Sequence, residues 1–198
     1  YPLNRRKPEY LGNFRLGRYP KPRSSPNAKV YAPPPGFIRV TQNNRAERVS
    51  DHFRLEQFLC KQQGGWPKYV ALTPALLSKL DGLVRALQKR GLDIATLTVM
   101  SGYRTPYYNR AIGNVAFSRH IYGDAADVFV DRDGNGRMDD LNGDGRSDLR
   151  DAQWLAGVVA ELEGEDIVPG GVGTYRANHA HGPFVHVDAR GKAARWGP

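Results

Sequence analysis

One run, Ser118-Arg119-His120-Ile121-Tyr122-Gly123-Asp124-Ala125-Ala126-Asp127, constrains this chain more than any other feature. It carries a histidine and, seven residues on, an aspartate. Far downstream, Phe184-Val185-His186-Val187-Asp188 brings a second histidine on an alternating, strand-like segment. Two imidazoles and one carboxylate suit zinc, and three protein ligands leave a fourth position open. A zinc ion with an open position brings the ionisation of water close to neutral pH, which hydrolysis needs. The expected zinc ligands are therefore His120, Asp127 and His186. Side chains alternate along a strand, so His186 and Asp188 share a face with Phe184, while Val185 and Val187 turn to the core. Gly123 and Ala125 are small, as a tight turn between the first two ligands requires.

The run resembles the S-x-H-x-x-G-x-A-x-D pattern of the M15 peptidases, zinc carboxypeptidases and endopeptidases that cleave D-alanyl bonds in bacterial cell-wall peptides. The resemblance extends upstream to Ser101-Gly102-Tyr103-Arg104 with Asn109, and downstream to Gly170-Gly171-Val172-Gly173-Thr174-Tyr175 and the His186-x-Asp188 strand. It covers roughly residues 50–198, and the ordered set is far more specific than any one motif. It implies that Arg104 binds a substrate carbonyl or carboxylate and stabilises an oxyanion, a role suited to a fixed, permanently charged fork. It also implies a partner, the peptides of peptidoglycan, and a place in the periplasm, outside the cell or in the cell envelope.

The general base is the weakest part of the match. Many relatives carry a glutamate three residues before the last ligand or a histidine two before it, but here those positions are Pro183 and Phe184, which accept no proton. His181 and His179 are the nearest candidates, and His181 is chosen because some relatives have a histidine there. Its neutral imidazole could take a proton and return it to the leaving amine. Without such a base the chain would instead be a non-catalytic, zinc-containing module that holds the cell wall. Asp188 is placed to orient a histidine or to pair with Arg190, and Asp124 to face solvent or to support the site, not to ligate.

A second cluster occupies residues 131–151. Taking Asp140 as position 1 of an EF-hand-type loop, Asn142, Asp144, Arg146, Asp148 and Asp151 fall at positions 3, 5, 7, 9 and 12, with Gly145 at the sharp turn. Asp131, Asp133, Asn135, Arg137 and Asp139 begin a second, overlapping loop. Oxygen ligands at this spacing suit Ca2+ in a structural role, since a dense run of carboxylates repels itself unless cations are present. Position 12 is Asp where sensor loops have Glu, and no helix precedes the loop.

The rest of the chain reads as scaffold. With 198 residues and 40% apolar content, it can build one domain with a core and an extension. Residues 1–45 are rich in proline and basic side chains and are expected to be an irregular extension that either wraps the domain or spans the wall as a linker. Tyr10, Phe14, Tyr19, Tyr31 and Phe37 could anchor it. Residues 46–198 form the peptidase-like domain. Thr73 and Pro74 open a helix whose stripe runs Leu76, Leu77, Leu80, Leu83, Val84 and Leu87 to a stop at Gly91. Further helices are expected near 52–60, 106–112 and 152–162. Strands are expected at 97–100, 125–130, 171–175 and 184–188. The fold class is α+β: a small, mainly antiparallel sheet carrying the zinc site, packed by helices, with the calcium-loop insertion.

The net charge of +9 favours anionic polymers, yet no nucleic-acid-binding signature is present. No apolar run approaches the ~20 residues of a membrane span. The single cysteine, Cys60, excludes an internal disulfide and is expected to be a buried, inert thiol. A monomer is expected.

Overall fold

The computed structural model describes residue 2 and residues 9–22, 30–163 and 167–198. Its centre is a five-stranded sheet of β5 (Thr98–Ser101), β6 (Ala125–Phe129), β8 (Phe184–Asp188), β7 (Gly171–Tyr175) and β9 (Ala194–Trp196), in that order. The first four strands are antiparallel, and β9 joins the edge of β7 in parallel. Two long helices, α1 (Pro74–Lys89) and α3 (Leu149–Glu163), pack on each other, and α3 packs on β7 and β8. The architecture is α+β, as the alternation of motifs predicts.

Local chemistry explains the helices. The Thr73 hydroxyl accepts the Leu76 amide at 3.3 Å and Pro74 occupies the first turn, so orphan donors are satisfied. Leu76, Leu80, Leu83, Val84 and Leu87 are all fully buried, each contributing about 1.5–3 kcal/mol. Gly91 ends the run at φ +87°. The short helix α2 (Pro106–Ala111) repeats the device, with Thr105 as its cap. The helix expected near 152 begins three residues earlier, at Leu149. There the Asp148 carboxylate accepts the Arg150 amide, and the Asp151 carboxylate reaches back to the Asp148 amide, a capping box made of aspartates.

The helix expected over residues 52–60 is instead a single 3-10 turn, Leu55–Phe58. Its amides are taken by other partners, Leu55 N–H by the Glu47 carbonyl and Glu56 N–H by that of Arg45. The inward pull on Phe53, Leu55 and Phe58 then fixes an irregular path.

The described part of residues 1–45 wraps the domain. The hairpin β1 (Tyr10–Leu11) and β2 (Phe14–Arg15) buries Leu11 and Phe14, and β3 (Ile38–Val40) pairs antiparallel with β4 (Lys68–Val70). Phe37 is buried, Tyr31 packs on Phe117 and Tyr122, and the Tyr19 hydroxyl donates to the Ile121 carbonyl; Tyr10 stays exposed. Of the basic side chains noted there, Arg5, Arg6, Lys7, Arg23 and Lys29 lie outside the described residues.

One buried ion pair ties the layers together. Lys79 of α1 donates to Glu163 of α3 at 2.7 Å and to the Asp188 carbonyl at the end of β8 at 2.8 Å. Glu163 also pairs with Arg195 and accepts the Gly170 amide. Among the described residues no helix is long and apolar enough to cross a membrane.

Candidate metal centre

Strand pairing lines up five residues in one row across the sheet: Ser101 faces Asp127, Asp127 faces His186, His186 faces Gly173, and Gly173 faces Trp196. Directly paired residues point to the same side. Ala126, Val128, Val185, Val187 and Val172 alternate to the other side and enter the core. Two of the expected ligands thus become neighbours by register alone. The third arrives from the 3-10 turn Arg119–Tyr122, which carries His120. That turn ends at Gly123, at φ +77°, where a Cβ would stand 2.4 Å from the Ala71 carbonyl oxygen; only glycine fits.

The three side chains are buried and converge. His120 Nε2 lies 3.1 Å from Asp127 Oδ1, His186 Nδ1 lies 2.9 Å from the same oxygen, and the two nitrogens are 3.2 Å apart. The outer nitrogens fix the tautomers. His120 Nδ1 donates to the Gly102 carbonyl at 2.7 Å, and His186 Nε2 donates to the Asp188 carboxylate at 3.2 Å. In a neutral ring each donation leaves the lone pair on the inward nitrogen. Two imidazole lone pairs and a carboxylate oxygen can therefore face one point, a donor set able to hold a cation. The edges of a tetrahedral zinc site with nitrogen and oxygen ligands are about 3.3 Å, close to the spacing found. The donor set fits zinc.

Electrostatics agrees. Burial holds the His120 pKa below its ordinary value, against the pull of Asp127. Burial also opposes charge on His186, but hydrogen bonds to Asp127 and Asp188 outweigh it and raise its pKa. Both carboxyls are held well below the usual range despite their burial: Asp127 by the two histidines, Asp188 by His186, Arg190 and the Gly171 amide.

Arg104 sits on the second carboxylate oxygen. Its Nη2 donates to Asp127 Oδ2 at 2.5 Å and its Nε to Ser101 Oγ at 2.8 Å. Among the described residues Nη1 has no partner. Arg104 thus holds the expected ligand Asp127 in place, a part that its motif does not imply, while keeping one donor free. Of the two parts expected for Asp124, facing solvent is excluded: it is buried in a two-point pair with Arg119.

His181 does not join the cluster. Its Nδ1 donates to the Gly182 carbonyl at 2.8 Å, its Nε2 meets the Asn178 amide at 2.9 Å, and its ring stands edge-on to Phe184 at 4.9 Å between centroids. Phe184 lies two residues before His186 on the same face, so His181 packs on the sheet face that carries the row. His179 is exposed on the same loop. Cys60 is buried, and burial pushes its thiol pKa up, as an inert group requires.

Sequence reading missed Trp196. Its indole lies 5.2 Å from the His186 ring, and its Nε1 donates to the Tyr175 hydroxyl at 2.9 Å. The space exists because Gly173 has no side chain; a Cβ there would meet the indole at 2.2 Å. The two glycines at 171 and 173 on one strand face were the available signal.

In the acidic segment, Asp131, Asp133 and Asp139 bring carboxylate oxygens within 4.8 Å of one another. The Asp140 loop is closed by its own turns: Asp140 accepts the Gly143 and Gly145 amides, Asn142 accepts that of Asp144, and Asp144 accepts that of Arg146. Asp151 accepts the Leu141, Asn142 and Asp148 amides.

The family model described as Peptidase M15 matches residues 51–141, a span that contains Arg104, His120 and Asp127. No curated protein matches the chain. The ordered motifs, the sheet row and the converging side chains agree with this match, which supports membership of the M15 peptidase family.

Proposed function

We propose that this protein hydrolyses peptide bonds in the stem peptides or crosslinks of peptidoglycan, as a zinc-dependent carboxypeptidase or endopeptidase of the cell envelope. The observation that carries this is the meeting of His120 Nε2, Asp127 Oδ1 and His186 Nδ1 at one buried point beside Arg104. A zinc ion bound by these residues supplies a Lewis acid and an activated water. The chain's own groups do the rest. Asp188 and the Gly102 carbonyl keep the imidazoles in the ligating tautomer. Arg104, locked by Asp127 and Ser101, turns its remaining donor to the oxygen that gains charge when the carbonyl is attacked. His181 is the proton carrier of the proposal, and a modest closure of the 177–183 loop would bring it to the leaving amine.

Calcium belongs to the proposal as a structural ion. The convergence of Asp131, Asp133 and Asp139 favours the first loop, although spacing alone favours the loop starting at Asp140.

Incubating the zinc-loaded protein with muropeptides and identifying products by mass spectrometry tests the activity. Release of an amino acid or splitting of a crosslink is expected, and is lost in His120→Ala. A folded, zinc-loaded protein that cleaves no wall peptide would leave the non-catalytic wall-binding module.

A further inference from the structure

The tip of the acidic segment and the histidine-bearing loop face each other across a cleft. One cavity of about 380 Å³ is lined by Asn135–Arg137 and by residues 177–183. A second, of about 280 Å³, shares Arg137 and residues 180–183 with it and is floored by Phe129 and walled by Lys61. Together they form one continuous groove.

The groove lies on the metal-bearing side of the sheet. Phe129 follows Asp127 by two residues on β6, and Phe184, which carries the His181 ring, precedes His186 by two on β8. Two strand residues span about 7 Å, so Phe129, in the lining of the groove, stands about that far along β6 from Asp127.

Its charge is cationic. Lys61 and Arg137 are exposed, and among the described residues neither makes an ion pair. The nearby carboxylates are already engaged: Asp139 with Arg132, Asp131 and Asp133 with the Asn135 and Gly136 amides. Between them the two linings contain Lys61 and Arg137 and no carboxylate, which favours an anion in the space between.

We infer that this groove is a substrate subsite that binds a free carboxylate of the peptide through Lys61 and Arg137, away from the bond to be cut. The inference presupposes the peptidase activity proposed above only for the identity of the peptide. The acidic insertion then has a purpose beyond its own stability, because its backbone carries Arg137 to the cleft.

The test compares one stem peptide bearing free side-chain carboxylates with its amidated twin. Binding to the zinc-loaded full chain is measured by calorimetry, and cleavage is followed separately. The wild type is expected to bind the anionic peptide about tenfold more tightly, a difference of about 1.4 kcal/mol. The preference should shrink as salt is raised and vanish in Lys61→Gln/Arg137→Gln, with circular dichroism confirming the fold. Equal affinity for both peptides, binding of neither, or a preference that survives the double substitution would overturn the subsite. Cleavage without charge preference would remove the subsite and leave the peptidase. Charge-dependent binding without cleavage would keep the subsite and remove the catalysis.

Discussion

Asp188 accepts the Nε2 proton of His186 at 3.2 Å, and this contact decides which nitrogen of the ring is left for a metal. Asp188 is in turn fixed by the Gly171 amide and by Arg190. Loss of such an outer partner typically costs 10–100-fold in metal affinity. Asp188→Asn should therefore weaken zinc binding by about that factor in a chelator competition, with the fold retained. Unchanged affinity would mean that the ring is oriented by packing alone.

Glu163 contributes to the acid sensitivity of stability. Burial opposes its ionisation, but Lys79 and Arg195 outweigh it and depress its pKa below the ordinary 4.5. A depressed carboxyl binds fewer protons folded than unfolded, so its contribution is complete above about pH 4.5 and is lost as pH falls through the folded value. Glu163→Ala leaves the Lys79 ammonium buried with only the Asp188 carbonyl as partner and no counter-charge from Glu163, and should cost about 3–5 kcal/mol near neutral pH. Glu163→Gln should flatten the fall in stability below pH 4.5. Denaturant melts across pH 3–7 check both, and an unchanged acid slope in Glu163→Gln would assign the acid sensitivity to other groups.

His181→Ala addresses the proton carrier. General acid–base groups contribute about 10²–10⁴-fold, so kcat should fall by that order with zinc content intact. Unchanged turnover would exclude His181 from proton transfer and leave it as part of the groove wall.

Calcium should raise the melting temperature, since an ion that binds only the folded state stabilises by about 2.7 kcal/mol at a hundredfold excess over Kd. Asp131→Asn should remove most of the shift if the first loop holds the ion, and Asp140→Asn if the second does. No shift in the wild type would reduce the segment to a metal-free turn.

Of the candidate ligands, the sequence made His120 and Asp127 legible as a pair because seven residues separate them, while alternation set only the facing of His186 on its strand. The sequence made α1 legible through its leucine stripe and its Thr73–Pro74 start. It could not show that Asp127, His186 and Gly173 stand in one row, because register arises from pairing across the sheet. For the same reason Trp196 was missed: a lone aromatic near the end of the chain signals nothing until β9 docks beside β7. The turn at Leu55–Phe58 was misread as a helix because its amides bond to the 45–47 segment, a partner that periodicity does not encode. Proline content marked residues 1–45 as irregular, while the burial of Leu11, Phe14 and Phe37 depends on what they meet.

Elemental analysis of the purified protein, with and without His120→Ala and His186→Ala, bears most directly on the central claim. One zinc per chain is predicted for the wild type, with loss of the ion in either variant while circular dichroism stays native. A folded wild-type chain that takes up no zinc when it is offered, or variants that retain a full equivalent, would contradict the account.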